Sequence, residues 1–258
     1  MSKILVVDIE TSPNLVYTWG HWKQNISPKQ VVTPSDTLSY AAKWLGEDEI
    51  FYGENRKGND RKIISDICAL LDEADMVIAH NGDRFDIPRI KARALVHGFK
   101  PISPFKAIDT LKIAKREFGF QANSLEYLLN ILKCKVRKGG HKKFPGFVLW
   151  TECMKGNVEA WDEMREYNIL DILSLEELYL KLRPWSTLHP NVAIYNEDQE
   201  QENPVCPKCG HTHMQYRGYS YTSVGKYHRL QCQGCHGWSR TRFTLAKTNK
   251  NHVVNAVN

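Results

Sequence analysis

Asp8 and Glu10 stand two residues apart at the end of the apolar run Ile4-Leu-Val-Val-Asp8-Ile-Glu10. On a β-strand that spacing projects both side chains from one face. Carboxylates so close repel one another and favour protonation unless a cation compensates them. Burying them unpaired at the end of a core strand is costly. An all-oxygen pair suits a hard divalent ion, Mg2+ or Mn2+. A D-x-E tripeptide alone is weak, but two further segments add to it. His80-Asn-Gly-Asp-Arg-Phe-Asp86-Ile-Pro88 follows a short apolar strand and sets an acid at the strand mouth, just before a helix. Tyr167-Asn-Ile-Leu-Asp171 lies in a long helical stretch, where the i, i+4 spacing stacks phenol and carboxylate on one face, one turn apart.

A second chemistry lies near the C-terminus. Of seven cysteines, four form Cys206-Pro-Lys-Cys209 and Cys232-Gln-Gly-Cys235, and the other three (Cys68, Cys134, Cys153) are scattered. Paired C-x-x-C motifs in an otherwise cysteine-poor chain read as one tetrahedral zinc site built from four thiolates, not as disulfides. His211, His213 and His236 lie nearby as alternative ligands, although four thiolates already satisfy zinc. Met214 to Leu230 alternates aromatic and polar residues around Gly218 and Gly225, which predicts a small antiparallel hairpin sheet, the zinc-ribbon arrangement. About forty residues bury little surface, so the metal would supply much of the folding free energy. Arg217, Arg229, Arg240, Lys226 and Arg242 are interspersed with Tyr216, Tyr219, Tyr221, Tyr227 and Trp238. That mixture suits phosphate contacts and base stacking, although some of these aromatics must also form the module's small core.

The elements that must position these groups alternate between strand and helix. Lys3–Asp8 reads as a strand, Val16 to Tyr52 as a region holding two more, and Met76–Ala79 as a buried strand. Helices are expected over Asp60–Ala74, Pro88–His97 with Asp86 as N-cap, and Ser124–Leu132 capped by Ser124. A last long helix runs from an Asn157 cap to just before Pro184. This order predicts an α/β domain, a central mixed sheet covered by helices. Domain boundaries are expected at 1–195 for this domain, 196–203 for an acidic linker, 204–245 for the zinc module and 246–258 for a disordered tail.

Charge divides the chain in the same way. The net charge is +6, yet residues 204–258 carry eight Lys and Arg and no acid, so the rest is slightly negative. A basic small module behind a near-neutral larger one suggests a polyanion partner. Lys133–Lys143 holds six more Lys and Arg and no acid. It reads as a basic loop, with Lys138 and Lys142 as candidate backbone contacts and a solvated loop as the plainer alternative. Trp19, His21 and Trp22 are candidates for base stacking, or else core or rim residues. No apolar run approaches the ~18–20 residues of a membrane helix. No signal peptide precedes the first strand, so a soluble, cytoplasmic protein without a membrane partner is expected.

Taken together and in this order, the three acidic segments resemble the DEDD exonuclease superfamily, the DnaQ-like branch of the ribonuclease H-like fold. VVDIETSP matches its first motif. HNGDRFDIPRI resembles the second as found in proofreading domains of B-family DNA polymerases. Tyr167-x-x-x-Asp171 is the tyrosine version of the third, which marks the DEDDy subclass. AIDTLKIAKREFG from Ala107 and SLEYLLNIL also resemble the family, over roughly residues 3–183. The resemblance implies a ribonuclease H-like sheet and two-metal 3′→5′ phosphodiester hydrolysis releasing nucleoside 5′-monophosphates. It further implies that Asp8 bridges both ions, that Glu10 and Asp171 complete one site, and that Asp86 holds the second ion. Tyr167 would orient the attacking water, Asn81 and Phe85 would support the terminal nucleotide, and Asp109 would be a supporting acid. DNA is the favoured substrate and RNA remains open, since nothing in the sequence settles sugar selection. A non-catalytic zinc-ribbon binder is the rival reading, and a protein partner at the ribbon or tail is a further one. The intact acid set argues against the first of these.

Overall fold

The computed structural model describes residues 2–136, 143–196, 203–246 and 253. The chain divides into two compact units, one spanning Lys3–Tyr179 and the other running from Leu180 towards the C-terminus. The expected acidic linker lies almost wholly outside the described residues, as does nearly all of the tail and most of the Lys133–Lys143 loop, including Lys138 and Lys142.

The first unit contains strands β1 (Ile4–Thr11), β2 (Leu15–Val16), β3 (Val31–Thr33), β4 (Thr37–Trp44), β5 (Phe51–Glu54), β6 (Met76–Ala79) and β7 (Lys106–Asp109). Its helices are α1 (Arg61–Glu73), α2 (Asp86–Val96), α3 (Thr110–Glu117), α4 (Leu125–Ile131), α5 (Val148–Met154) and most of α6 (Val158–Leu182). Five strands form one mixed sheet in the order β5-β4-β1-β6-β7. β1 is antiparallel to β4 and parallel to β6, and β6 is parallel to β7. The domain is the expected mixed α/β sheet flanked by helices. The Val16–Tyr52 region holds four strands rather than two. β2 and β3 pair only with each other, as an arm inserted between β1 and β4.

β1 sorts its side chains by the period of two. Leu5, Val7 and Ile9 enter a core with Ile63, Ile64, Ile67 and Leu71 of α1 and Ile90 of α2. Asp8 and Glu10, of the opposite parity, therefore face the other side of the sheet. Register pairs Asp8 with Ala41 and Glu10 with Ser39, so Ser39, Ala41 and Lys43 of β4 share that face. There α5 and α6 enclose a second cluster that includes Leu149, Trp161, Met164 and Tyr167.

Asp60, the residue before α1, is fully buried. Its carboxylate accepts two bonds from Arg93 at 2.7 Å, one from His97 Nε2 at 2.6 Å and one from the Thr37 amide at 3.0 Å. It thereby ties α2 and β4 to the start of α1. Burial alone raises this carboxyl's pKa, but the bonds from Arg93, His97 and Thr37 outweigh it and hold the group below its ordinary value. Because the folded pKa is depressed, the stabilisation is present above the unfolded pKa of ~3.9 and is lost as pH falls through the folded value. Asp60→Ala leaves Arg93 with Asp36 alone at 3.1 Å, and an expected cost of roughly 2–4 kcal/mol. Urea unfolding at pH 7 checks this, and the difference from wild type should shrink towards pH 3.

The second unit holds β8 (Met214–Tyr221), β9 (Lys226–Cys232) and β10 (Trp238–Arg240), a three-stranded antiparallel sheet in the order β10-β9-β8. The predicted hairpin is β8–β9. At its bulge Gly218 takes φ +77°, a left-handed conformation that glycine adopts at little cost.

Candidate active site

One carboxylate oxygen each from Asp8, Glu10 and Asp171 lie within 4.8 Å of one another. β1 supplies the first two by its parity, and α6 supplies the third because two buried contacts clamp it to β4. Ser39 Oγ donates to Asn168 Oδ1 at 3.1 Å, and Lys43 is ion-paired with Glu176. Ser39 and Lys43 are ~13 Å apart along a strand, while Asn168 and Glu176 are ~12 Å apart along a helix. The spacings match, so the helix has one register on the strand. In that register Asn168 Nδ2 also donates to Asp8 Oδ2 at 2.7 Å, and Asp171 follows one turn later.

Tyr167 lies on the same helix, buried and hydrogen-bonded to Asp171. Burial first, and then the charges of Asp171, Glu10 and Asp8, push its phenol well above the ordinary value. It is therefore a proton-bearing hydrogen-bond donor at neutral pH and not a base. The Trp150 ring meets it edge-on at 5.9 Å, and Trp150 Nε1 donates to Glu10 Oε2 at 3.0 Å. Neither Asn168 nor Trp150 is among the residues expected from the sequence. Asn168 is legible inside Tyr167-Asn-Ile-Leu-Asp171 as the only polar residue between the two named ones. Trp150 sits in seven-residue α5, too short to announce itself by periodicity.

Asp86 lies outside the group of three. Its placement corrects one expectation: it is the first residue of α2, and Phe85 occupies the N-cap position. The β1–β6 ladder stops at Val6–Ile78, and the Asp86 carboxylate accepts the Ile9 amide beyond it at 3.1 Å. Burial pushes the Asp86 carboxyl up to about 7, opposed by its backbone N–H bonds and reinforced by the charge of Asp109. Asp109 caps α3 through Leu111 and Lys112, and accepts the amide of Asn81, which has φ +67°. Gly82 completes this turn, where a Cβ would lie 2.3 Å from that of Ala79. Phe85 packs half-buried against the core with the Arg89 guanidinium 4.7 Å above its ring.

Beside Glu10 opens a cleft of about 540 Å³, lined by residues that include Thr11, Pro13, Asn14, Ser35, Arg89 and Trp150. Trp150 thus contributes both to the cleft and to the carboxylate group. An ion with ligand oxygens at roughly 2.0–2.1 Å places those oxygens roughly 3–4 Å apart. The acid group is compatible with that spacing, so Asp8, Glu10 and Asp171 fit a hard divalent cation.

In the second unit the sulfurs of Cys206, Cys209, Cys232 and Cys235 lie within 4.8 Å of one another, all as free thiols. Cys206 and Cys235 are 3.7 Å apart, and Cys209 and Cys232 3.6 Å. Zn–S bonds of about 2.3 Å in a tetrahedron require sulfur edges of about 3.8 Å. Gly234 and Cys235 amides point at Cys232 Sγ at 3.3 and 3.4 Å. Burial raises the Cys206 and Cys209 thiols, whereas at Cys232 these bonds, with those from Cys209 and Cys206, outweigh burial and hold the thiol below its ordinary value. His211, His213 and His236 are not members of this cluster. Arg229 lies 5.1 Å over the Trp238 ring and Arg240 lies 3.9 Å over Tyr227, while Arg217 is exposed on β8.

A mixed sheet carrying clustered carboxylates from its first strand and α6 defines a class of α/β domains with an acid group able to hold a hard cation. Residues 5–183 match the family model described as RNase_H superfamily, and the chain belongs to that superfamily. Among solved structures it is similar to the family B DNA polymerase of the hyperthermophilic archaeon Pyrobaculum calidifontis, with a TM-score of 0.51 and 15% identity. The likeness covers 72% of this chain and 26% of that one, so this chain spans about a quarter of the polymerase's length. No curated protein matches the chain. Among the described residues no helix is long and apolar enough to cross a membrane.

Proposed function

We propose that this protein is a metal-dependent 3′→5′ exonuclease of the DEDDy type, acting on DNA ends and carrying a zinc ribbon that grips nucleic acid. The observation that carries the reading is the meeting of Asp8, Glu10 and Asp171 with the protonated Tyr167 phenol beside an open cleft. Asp8, Glu10 and Asp171, with Asp86 at the start of α2, would hold the metal. Divalent ions held there would supply an activated water and neutralise charge on the leaving 3′ oxygen. The Tyr167 hydroxyl donates a hydrogen bond that orients the nucleophile. Asn168 fixes the Asp8 carboxylate, and the Trp150 indole fixes Glu10. Arg89 faces the cleft and offers a cation to phosphate, and Asn81 and Phe85 support the terminal nucleotide. In the second unit, zinc on the four cysteines holds the sheet that presents Arg217, Arg229 and Arg240 to the phosphate backbone.

Closed circular and linear single-stranded DNA, incubated with Mg2+ and analysed over time, test the reading. The linear form should shorten from its 3′ end to 5′-mononucleotides while the circle stays intact. Cutting of the circle overturns the exonuclease assignment, and end-labelled RNA run alongside reports the sugar preference.

Asn168→Ala is expected to leave the fold intact but to weaken metal affinity or activity by about 10–100-fold, since Asp8 loses the donor that orients it. The Mn2+ dependence of hydrolysis measures the shift.

A further inference from the structure

The segment between β1 and β4 is an excursion that the catalytic chemistry does not use. It is not a loose loop. Leu15 pairs with Thr33 and Val16 with Val31, the Tyr17 amide donates to the Gln30 carbonyl at 2.9 Å, and Gln30 Nε2 returns a bond to the Tyr17 carbonyl at 3.0 Å. At its root the Ser12 amide donates to the Asp36 carbonyl at 2.8 Å and the Ser35 amide to Asn14 Oδ1 at 2.8 Å. Yet this pinned arm carries its largest apolar groups outward. Trp19 is 101% exposed, Trp22 87% and Tyr17 77%. Aromatic side chains of this size bury roughly 150–250 Å² each when they find a partner, at about 25 cal/mol for each Å². A held arm with bare indoles is therefore a surface for something outside the described fold.

Two observations choose the occupant. Asn14 and Ser35, where the arm leaves the sheet, line the cleft beside Glu10, so a strand entering the cleft crosses the arm's root. From Ser12 to Ser35 the sequence holds Lys23, Lys29 and His21 and no acid, a composition matched to a polyphosphate chain. Exposed π-faces among cations are what unpaired bases and their phosphates require, and duplex DNA keeps those base faces stacked. The geometry points to the arm as a stacking platform for a single-stranded nucleic acid, taking the nucleotides upstream of the 3′ end that occupies the cleft. This rests on the exonuclease reading for its substrate class, and it makes the arm the element that selects unpaired ends.

The test separates the two. With Ca2+ replacing Mg2+ to suppress turnover, the full-length protein is titrated with a fluorescein-labelled single strand of about 20 nucleotides, longer than one stacking site, and with a blunt duplex of the same sequence. Trp19→Ala/Trp22→Ala is expected to weaken single-strand binding by about 30-fold or more, with two bases each losing a stacking partner, and to leave duplex binding unchanged. Trp19→Phe/Trp22→Phe should restore most of the loss, because a ring of any kind stacks. Both indoles stand in solvent, so their removal leaves the fold's contacts in place, which a thermal melt verifies. With Mg2+ restored, the alanine variant should show a raised KM on the same single strand and unchanged turnover of a dinucleotide. Equal single-strand affinity in wild type and alanine variant overturns the inference, whether or not hydrolysis is seen. The same holds if the variant instead loses self-association in sedimentation, which would make the arm a contact between copies. Single-strand binding lost with the indoles in a protein that hydrolyses nothing would keep the arm and sink the exonuclease.

Discussion

Asp8→Ala and Asp171→Ala are each expected to lower hydrolysis by on the order of 10³-fold or more while the protein stays folded. The two carboxylates come from a strand and a helix that are far apart in sequence, and each substitution would remove one of the three acids that meet there among the described residues. Their effects on stability differ in which hydrogen bond is lost. Both variants relieve repulsion among carboxylates held within 4.8 Å. Asp8→Ala also strips the acceptor from Asn168 Nδ2, in a fully buried residue, at a cost of about 1–3 kcal/mol. Asp171→Ala takes the partner of the Tyr167 hydroxyl but leaves the Asn168–Asp8 bond in place. Without added metal, each variant therefore sets relieved repulsion against one hydrogen bond lost by a buried donor, and thermal melts should find both folded. Wild type should gain thermal stability as Mn2+ is added, through mass action on the folded state, and both variants should lose most of that gain. Normal turnover in either variant would remove the metal-site assignment. Lost turnover with an undiminished Mn2+ shift would move the ions elsewhere.

Stripping zinc from the second unit is expected to unfold its sheet outright. The buried apolar side chains of β8–β10 and the cysteine loops amount, among the described residues, to Leu230 with Cys206 and Cys232. These are too few to offset the conformational entropy of some forty ordered residues. Structural zinc in modules of this size carries apparent binding free energies of about 10–16 kcal/mol at neutral pH. Elemental analysis should find one zinc per chain, and Cys232→Ser should lose it. Amide hydrogen exchange reads the consequence. Protection across Met214–Arg240 should vanish in Cys232→Ser or after treatment with a strong chelator, while β1 and α1 keep theirs. Affinity for long single strands should fall and lose much of its salt dependence, because the Lys and Arg of residues 204–258, a stretch with no acid, are no longer presented on one scaffold. Retained protection without zinc would show that the four sulfurs are held together by packing instead.

Much of the first unit is legible in the sequence because its signals are local. The apolar run before Asp8, the helical period of Ile63, Ile64, Ile67 and Leu71, and the Ser124 and Asn157 caps each declare an element within a few residues. The observed elements begin and end close to those signals. The two C-x-x-C pairs are equally local, and their convergence needs one metal-sized cluster and no knowledge of the sheet. The features that escape a reading of the sequence are non-local. An acid before Ile-Pro reads as the cap of α2, yet Asp86 turns to the Ile9 amide, since β6 ends and leaves that donor without a strand partner. The stretch from Val16 to Tyr52 looks β-rich with polar turns, which suggests two strands where β2, β3, β4 and β5 form. Whether such a segment joins the sheet or stands off it depends on which edges are already taken, and β4 has taken that side of β1.

Residue order along the chain is enough to establish which side chains carry chemistry and on which face of their own strand or helix each one lies, because backbone periodicity sets that. It could not say that Asn168 holds Asp8, that Trp150 reaches Glu10, or that the arm after Thr11 leaves its indoles in solvent while its root lines the cleft. The first of those relations arises only when α6 locks onto β4 through Ser39 and Lys43, and the others only when α5 and the arm close on the same face. The partners of the clamp and of both carboxylate contacts are more than a hundred residues apart, and their distances are set by packing and not by any period in the chain.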